Sequence, residues 1–211
     1  ALREGTKTAH ERAEGTDFIS RMSGGKVDVA AVADYHAQLY AVYVELEAAS
    51  DRMLDAPVAG RFADRALNRV PALEADLESM LGAEWRDRIR VSDATAEYRE
   101  RVREVCFESE QAFVAHHYTR YLGDLSGGRI VGTMLGRHYG LTRDQGLQFY
   151  YFPEITEEVP YKRAYRDNLN SVPWDEAQIA ATVEESRRAF ALNTAVFEEL
   201  GSAPGGVAGH V

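Results

Sequence analysis

Five glycines interrupt a stretch of the chain whose two sides are typical of α-helix. Apolar residues recur at helical spacing from Phe113 to Leu122, and again from Ile130 to Leu135. The glycines follow about every fourth residue, along one stripe of a helix: Gly123, Gly127, Gly128, Gly132 and Gly136. At ~1 kcal/mol per helical glycine relative to alanine, this stripe costs on the order of 5 kcal/mol. The sequence therefore predicts a helix whose glycines have a specific purpose.

Three explanations for the glycines can be compared. The spacing from Gly123 to Gly128 has the frame of a phosphate loop, but Arg129 and Ile130 stand where Lys and Ser or Thr are needed, which excludes it. Close packing of helices through small residues is a second explanation. A third is a helix kinked at the paired glycines, so that bare backbone lies against a flat ligand. In that case Asp124 is the notable side chain, because it is the only carboxylate within the cluster.

Composition narrows the class of protein. A chain of 211 residues suits one domain, and its net charge of -10 argues against binding to nucleic acid. The single cysteine, Cys106, excludes an internal disulfide framework and is expected to be buried filler. No apolar run approaches the ~18 to 20 residues of a membrane span, and no signal segment begins the chain. We therefore expect no membrane span and a cytoplasmic protein.

Helical periodicity recurs along the chain, and no period-two pattern is sustained, so the sequence predicts an all-α fold. Helices are predicted over residues 2–14 and 29–54, over a run from about 70 that Gly82 ends, from the N-cap Ser92 to 105, from 109 or 110 to 139, from 160 to 170 and from 175 to 200. The aromatic residues 148–152 are expected to form an irregular connection with their rings turned inward. Residues 1–200 should form one domain, followed by a flexible tail over 201–211.

Outside the glycine cluster, several polar residues stand out. His10 lies in the middle of the first helix, and His36 lies on an apolar stripe of the second, where a packed core histidine is the simpler interpretation. Lys162 and Arg166 are one turn apart without an acid at pairing distance, which suits either an anionic ligand or a solvated face. Asn193 lies on an apolar stripe and should have a buried hydrogen-bond partner.

The string YTRYLGDLSGG at residues 118–128 resembles the distal helix of the heme oxygenase family. Further similarities follow in the order of the chain: residues 6–14 around His10, YVELE at 43–47, Lys162 with Arg166, and 190–200 beginning FALN. The resemblance thus extends over nearly the whole chain. It implies a single-domain, all-α heme oxygenase-like fold, with heme sandwiched between the first helix and a kinked glycine-rich helix.

The resemblance also implies roles for individual residues. His10 would bind the heme iron, and Gly123, Gly127 and Gly128 would face the iron-bound oxygen. Asp124 would orient the water that delivers the proton. The supporting residues of the site would be Tyr43, Arg120 and Asn193. The heme-binding residues would be Lys162, Arg166 and Tyr118 at the propionates, Arg3 where a Lys is usual, and Phe190 and Phe197.

Members of the family oxidise heme with O2 and external electrons to biliverdin, carbon monoxide and ferrous iron, by hydroxylation of the α-meso carbon through an iron-bound hydroperoxide. The resemblance implies a reductase or ferredoxin as the electron donor. Two other functions stay open on the residues alone: a heme carrier or sensor that leaves the ring intact, and a helical interaction module without cofactor. Asp124 favours an oxygenase, since a carrier does not need it. Arg129 departs from the family, which often has Gln there.

Overall fold

The computed structural model describes residues 1–202, and this part of the chain is built from helices without any β-strand. The α-helices are α1 (Leu2–Glu14), α2 (Asp17–Ser23), α3 (Val29–Met53), α4 (Val70–Leu81), α5 (Trp85–Arg88), α6 (Asp93–Val105), α7 (Glu110–His117), α8 (Arg129–Tyr139), α9 (Glu158–Asn170) and α10 (Glu176–Ser202). Short 3-10 helices connect some of them: Ala59–Arg61, Arg65–Leu67 and Gln148–Tyr150. The prediction of an all-α fold is confirmed.

Capping residues account for several helix ends that the sequence predicts. The side chains of Asp28, Ser92 and Ser109 accept hydrogen bonds from the backbone N–H three residues later, at the start of α3, α6 and α7. Gly82 and Gly140 follow α4 and α8 with φ of 87° and 67°, a backbone region that glycine adopts without strain. These local signals do not depend on the fold, so they could be recognised in the sequence.

Other helix ends differ from the predictions. The ninth helix begins at Glu158, two residues before Pro160, because the first turn of a helix does not need the N–H that proline lacks. The tenth helix extends to Ser202, so Gly201 is helical and is not the start of a tail. Phe18 of α2 lies close enough to Gly201 to cover this extra turn. The remainder of the predicted tail, residues 203–211, lies outside the described residues, and the short helices α2 and α5 were not predicted.

The core is arranged around α3, which contacts α4, α6, α7 and α10. Its residues Tyr43 and Leu46 are fully buried, and Cys106 is also fully buried, as expected for an apolar filler. Tyr43 therefore points from the central helix into the middle of the protein. Within residues 1–202, none of the helices combines the length and the apolar composition that a transmembrane span requires.

A partly buried ionic cluster ties α10 to α6 and α7. The carboxylate of Glu185 accepts hydrogen bonds from Arg101 at 2.6 and 2.9 Å and lies 2.9 Å from Nε2 of His116. Burial by itself would raise the pKa of Glu185, but the contacts with His116 and Arg101 lower this pKa to about 2. Burial lowers the pKa of His116, which is fully enclosed. The cluster thus stabilises the ionised form of Glu185.

We predict that Glu185→Gln lowers the free energy of unfolding by about 2 kcal/mol at pH 7, which is less than the full pKa shift corresponds to because solvent screens part of this half-buried cluster. A carboxyl whose pKa falls from 4.5 to about 2 on folding stabilises the protein above pH 4.5, and this contribution is lost as the pH falls towards 2. The difference between wild type and variant in urea denaturation should therefore shrink over that window. Glu104→Gln is the matched control, because Glu104 also pairs with Arg101 but is 64% exposed, and should change stability by less than about 0.5 kcal/mol. Equal losses of unfolding free energy in the two variants would contradict the stabilising role of the Glu185 carboxylate.

Candidate functional site

The glycine-rich stretch forms a continuous helix that changes its winding twice. Two π-helical turns, Tyr118–Leu122 and Asp124–Gly128, connect α7 to α8, and we call residues 110–139 the glycine helix. At the paired glycines, where a kink was expected, the helix forms a π turn, in which hydrogen bonds span five residues instead of four. Such turns widen the helix and free backbone groups, and they occur frequently at functional sites.

The glycines of this helix have two different environments. A Cβ atom added to Gly123 or Gly127 would meet nothing within 4 Å, so backbone here borders open space. A Cβ atom on Gly132 would lie 2.9 Å from the side chain of Tyr150, and one on Gly136 would lie 3.1 Å from a backbone carbonyl. Gly128 is buried on the same side, 3.7 Å from the Tyr150 ring by the same measure. Close packing thus explains the closed face of the glycine helix, while Gly123 and Gly127 form an open face.

Four of the residues named from the sequence form one polar network beside the open face. Tyr43 of α3 donates a hydrogen bond to Asp124. Arg120 donates from Nε to the Tyr43 oxygen at 3.3 Å and from Nη1 to Oδ1 of Asn193 at 2.8 Å. Its Nη2 lies 3.6 Å from Oδ1 of Asp124. The expected buried partner of Asn193 is thus Arg120, and the network joins α3, both π turns and α10.

Asp124 combines burial with a partly open position. Its side chain is 14% exposed, and burial raises its pKa, against the opposing effects of Arg120 and the hydrogen bond from Tyr43. Burial also raises the pKa of Tyr43 well above its ordinary value, so the phenol stays protonated and donates. A carboxyl with a raised pKa is closer to the range in which it can take up and release a proton. The arrangement therefore provides a fixed acid or base at the edge of an open glycine surface.

His10 is accessible, whereas His36 is not. The His10 side chain is 46% exposed, and its ring lies edge-on to Phe190 with 5.5 Å between the ring centres. Phe190 and Asn193 are one turn apart on α10, so this helix connects His10 to the polar network. His36 is fully buried, its Nε2 lies 3.0 Å from the hydroxyl of Tyr150, and burial lowers its pKa to about 3. The interpretation of His36 as a packed core residue is confirmed.

The cations named from the sequence occupy the surroundings of the glycine helix. Lys162 of α9 donates a hydrogen bond to the carbonyl of Leu125, in the second π turn, at 3.0 Å. Arg166 is exposed one turn further along α9, with Nη1 3.5 Å from the carbonyl of Lys162. Arg3 is exposed on α1, and Tyr118 is half-buried at the first residue of the first π turn. Tyr118 is thus part of a π turn, and among the three cations Lys162 is the one whose described hydrogen bond reaches a π turn.

Phe197 and Arg129, which the sequence analysis also named, lie on α10 and α8. Phe197 lies in the core with its ring centre 5.9 Å from that of Tyr35, seven residues beyond Phe190 on α10. Arg129, the departure from the usual Gln, forms an ion pair at 2.8 Å with Glu158 at the start of α9. This exposed pair connects α8 to α9 and belongs to neither the open face nor the polar network.

Three features of the site were not foreseen. Oε1 of Glu14 lies 3.4 Å from Nε2 of His10, and the spacing of four residues on one helix could have revealed this pair. Tyr150 packs against the closed face of the glycine helix, and the row of aromatic residues was the available signal. The contact of Lys162 with the carbonyl of Leu125 had no signal, because it depends on the π turn.

The described residues contain no group of three or more His, Cys, Asp or Glu side chains that could hold a metal ion. His10 is an accessible histidine, and one such ligand suits a metal that brings most of its ligands with it, as in a macrocycle. The open glycine face suits the flat shape of such a group.

Comparison with known proteins gives a consistent result. Residues 1–199 match the family model described as heme oxygenase. The curated heme oxygenase 1 of Synechocystis is 38% identical over 199 residues, which cover 94% of this chain and 82% of that protein. A heme oxygenase of Takifugu rubripes is also 38% identical, over 94% of this chain and 72% of its own length.

Solved structures show the same similarity. The crystal structure of heme oxygenase-1 from Synechocystis in complex with heme aligns with a TM-score of 0.90 and 38% identity, over 94% of this chain and 90% of that chain. The heme oxygenase of Leptospira interrogans aligns with a TM-score of 0.88 and 33% identity, over 94% of this chain and 97% of that chain.

Proposed function

The chain belongs to the heme oxygenase family, and we propose that it binds heme against the open face of the glycine helix, with His10 as the protein ligand of the iron. Enzymes of this family are oxidoreductases that degrade heme. The observation that carries the proposal is the polar network of Tyr43, Asp124 and Arg120, held directly beside glycines that leave space for a ligand.

The residues present fit heme in shape and in chemistry. Gly123 and Gly127 leave bare backbone where a flat ring can approach closely. The side chain of His10 is 46% exposed, whereas that of His36 is fully buried. A neutral imidazole is a common ligand of heme iron and leaves the opposite side of the ring free for O2. Glu14, next to Nε2 of His10, lies close enough to influence the orientation of the ring.

Cations on α9 provide contacts for the heme propionates in this proposal. The ammonium group of Lys162 already lies at the second π turn, where it donates to the carbonyl of Leu125. A propionate is a stronger acceptor than a carbonyl, so heme would draw Lys162 towards itself. Arg166 is exposed one turn away, and Tyr118 and Arg3 complete the anchoring set. Phe190, beside His10, and Phe197 are the apolar residues of the same site.

Asp124 directs proton delivery in this proposal. Heme supplies the iron that activates O2 with electrons from outside the protein, and it also supplies the ring carbon that is oxidised. Asp124 lies at the edge of the open face and can hold an ordered water there. Tyr43 and Arg120 fix the carboxylate, and Asn193 fixes Arg120. The glycines place no side chain of their own next to the reacting atoms, so the proton comes through water and not through direct contact.

We propose biliverdin, carbon monoxide and ferrous iron as the products, and a reductase or a ferredoxin as the electron donor. The second candidate function, a heme carrier or sensor, needs the ligand and the anchors but not the polar network. Hemin, ascorbate and air distinguish the two. An oxygenase loses its Soret band while a biliverdin band appears, and a carrier retains the Soret band.

We predict that His10→Ala weakens hemin binding and lowers turnover at least about tenfold, because the iron loses its protein ligand. Titration with hemin and the rate of biliverdin formation measure both effects, and added imidazole should restore part of the activity. His138→Ala, at an exposed histidine of α8, is the matched control and should behave as wild type. Unchanged absorption spectra of hemin-bound His10→Ala would mean that another residue binds the iron.

The double variant Lys162→Ala with Arg166→Ala should loosen the propionate anchors, so that the ring rotates and a mixture of biliverdin isomers forms. Each charge-assisted contact contributes about 1.5 to 3 kcal/mol, enough to fix one orientation. Chromatography of the product measures the isomer ratio. Arg163→Ala removes an exposed cation from the same helix and should leave one isomer. A pure α isomer from the double variant would mean that other contacts determine the orientation.

We predict that Asp124→Ala binds hemin with an affinity within about threefold of wild type but forms biliverdin at least about tenfold more slowly. Removal of the carboxylate disorders the water without touching His10 or the anchors. With added peroxide the variant should oxidise phenols faster than wild type, because misdirected protons favour cleavage of the O–O bond. Asp124→Asn keeps the side-chain volume and an acceptor for the hydroxyl of Tyr43. Its rate of biliverdin formation should therefore lie between those of wild type and Asp124→Ala. A wild-type rate in Asp124→Ala would refute the role of this carboxylate.

A further inference from the structure

Tyr150 forms the support against which the closed face of the glycine helix packs, and the proposed chemistry does not use it. It lies in the 3-10 helix Gln148–Tyr150, between α8 and α9. A Cβ atom on Gly132 would lie 2.9 Å from Cβ and Cγ of Tyr150. Real side chains do not approach so closely, so the absence of a side chain at Gly132 allows the contact. The ring also extends to Gly128, the last residue of the π turn that begins with Asp124.

Two buried side chains hold this aromatic segment from the other side. The hydroxyl of Tyr150 lies 3.0 Å from Nε2 of His36, and His36 is fully buried on α3. Asp76 of α4 is also fully buried, and it accepts hydrogen bonds from the backbone N–H groups of Gln148 and Phe149 at 2.7 and 2.8 Å. Oδ2 of Asp76 lies 4.0 Å from Nδ1 of His36. Both ends of the 3-10 helix are therefore attached to the core.

The direction of the hydrogen bond between His36 and Tyr150 follows from their surroundings. Burial keeps His36 neutral, with its pKa lowered to about 3, so one ring nitrogen carries a proton. Nδ1 makes no hydrogen bond within the described chain, but the Asp76 carboxylate 4.0 Å away favours the proton on that nitrogen. Burial raises the pKa of Tyr150 well above its ordinary value, so its hydroxyl keeps its proton and donates to Nε2. The bond consequently has one preferred direction and fixes the ring of Tyr150.

Helix α3 thus supports the glycine helix at two points. Tyr43 reaches Asp124 directly, and His36 reaches Gly128 and Gly132 through Tyr150. His36 and Tyr43 are seven residues apart, two turns along the same side of α3. The two supports meet the first and the last residue of the second π turn, so both ends of this turn are connected to α3.

We propose that Tyr150, held by His36, is a positioning residue for heme degradation. It determines how far the glycine helix reaches towards the heme, and thereby the position of Asp124 relative to the ring. This inference rests on the proposed function, because the position of Asp124 has a chemical consequence only where heme is degraded. Tyr150 acts through the backbone of the glycine helix and does not itself contact heme.

Tyr150→Phe tests the inference, because it keeps the ring and removes the hydrogen bond. Tyr165→Phe is a closely matched control: the hydroxyl of Tyr165 lies 2.8 Å from Nδ1 of the buried His117, and Tyr165 does not pack on the glycines. Both variants should lower the urea midpoint by similar amounts. Amide hydrogen exchange of the heme-free protein over residues 124–132 should be about fivefold faster in Tyr150→Phe alone.

The heme-bound protein provides a second measurement. Tyr150→Phe should slow biliverdin formation at least about threefold at saturating hemin, while the apparent KM for hemin stays within about twofold of wild type. Tyr165→Phe should change neither value. Identical exchange and turnover in the two variants would overturn the inference while biliverdin is still formed. A wild-type protein that forms no biliverdin would instead refute the proposed function.

A change at Gly132 tests the same contact from the side of the glycine helix. Gly132→Ala should displace the glycine helix from the ring and slow turnover at least about tenfold. In a Tyr150→Gly background, which removes both the Cβ atom and the ring, the same methyl group loses its three nearest contacts, so Gly132→Ala should slow turnover no further. A similar loss from Gly132→Ala in both backgrounds would show that Tyr150 does not set the position of the helix.

Discussion

A buried arginine is the constraint on which much of this structure depends. Arg120 is 5% exposed, and a charge enclosed to that extent is tolerated only where hydrogen bonds and an opposite charge compensate it. Its partners are Asp124, Tyr43 and Asn193, which come from the glycine helix, α3 and α10. Because these helices must converge on the guanidinium group to compensate its charge, the same contacts bring the residues of the polar network together. The same contacts hold Asp124 in a partly open position next to glycine backbone.

The two faces of the glycine helix have different surroundings. On the open face Gly123 and Gly127 leave space for a flat ligand, and on the closed face Gly132 lets Tyr150 pack against the backbone. A side chain at Gly123 or Gly127 would fill the open space, and a side chain at Gly132 would clash with Tyr150. The penalty of about 5 kcal/mol for five helical glycines therefore accompanies close packing on one face and, as we propose, ligand access on the other. The π turns between α7 and α8 add further local freedom, and Lys162 uses one of their carbonyls as an acceptor.

Much of the fold could be predicted, and the parts that could not share a cause. Ser92, Ser109, Gly82 and Gly140 mark helix ends through capping and backbone geometry that operate within a few residues. The end of α10 was misjudged because Gly201 is a local stop signal, and packing near Phe18 overrides it. The first turn of α9 was missed because proline is compatible with several positions near a helix start.

The sequence by itself determined the helical class and the cluster of glycines, which follow from periodicity and from residues close along the chain. The side chains of the polar network were named through the resemblance to the heme oxygenase family, because they come from distant parts of the chain. Only the tertiary structure decided which glycines border open space and which pack on Tyr150, and only it joined His36 to the glycine helix. The physical reason is distance along the chain: Tyr43 and Asp124, or His36 and Tyr150, are separated by 81 and 114 residues. Their contacts exist only after α3, the glycine helix and the aromatic segment have packed together, and no local pattern encodes that packing.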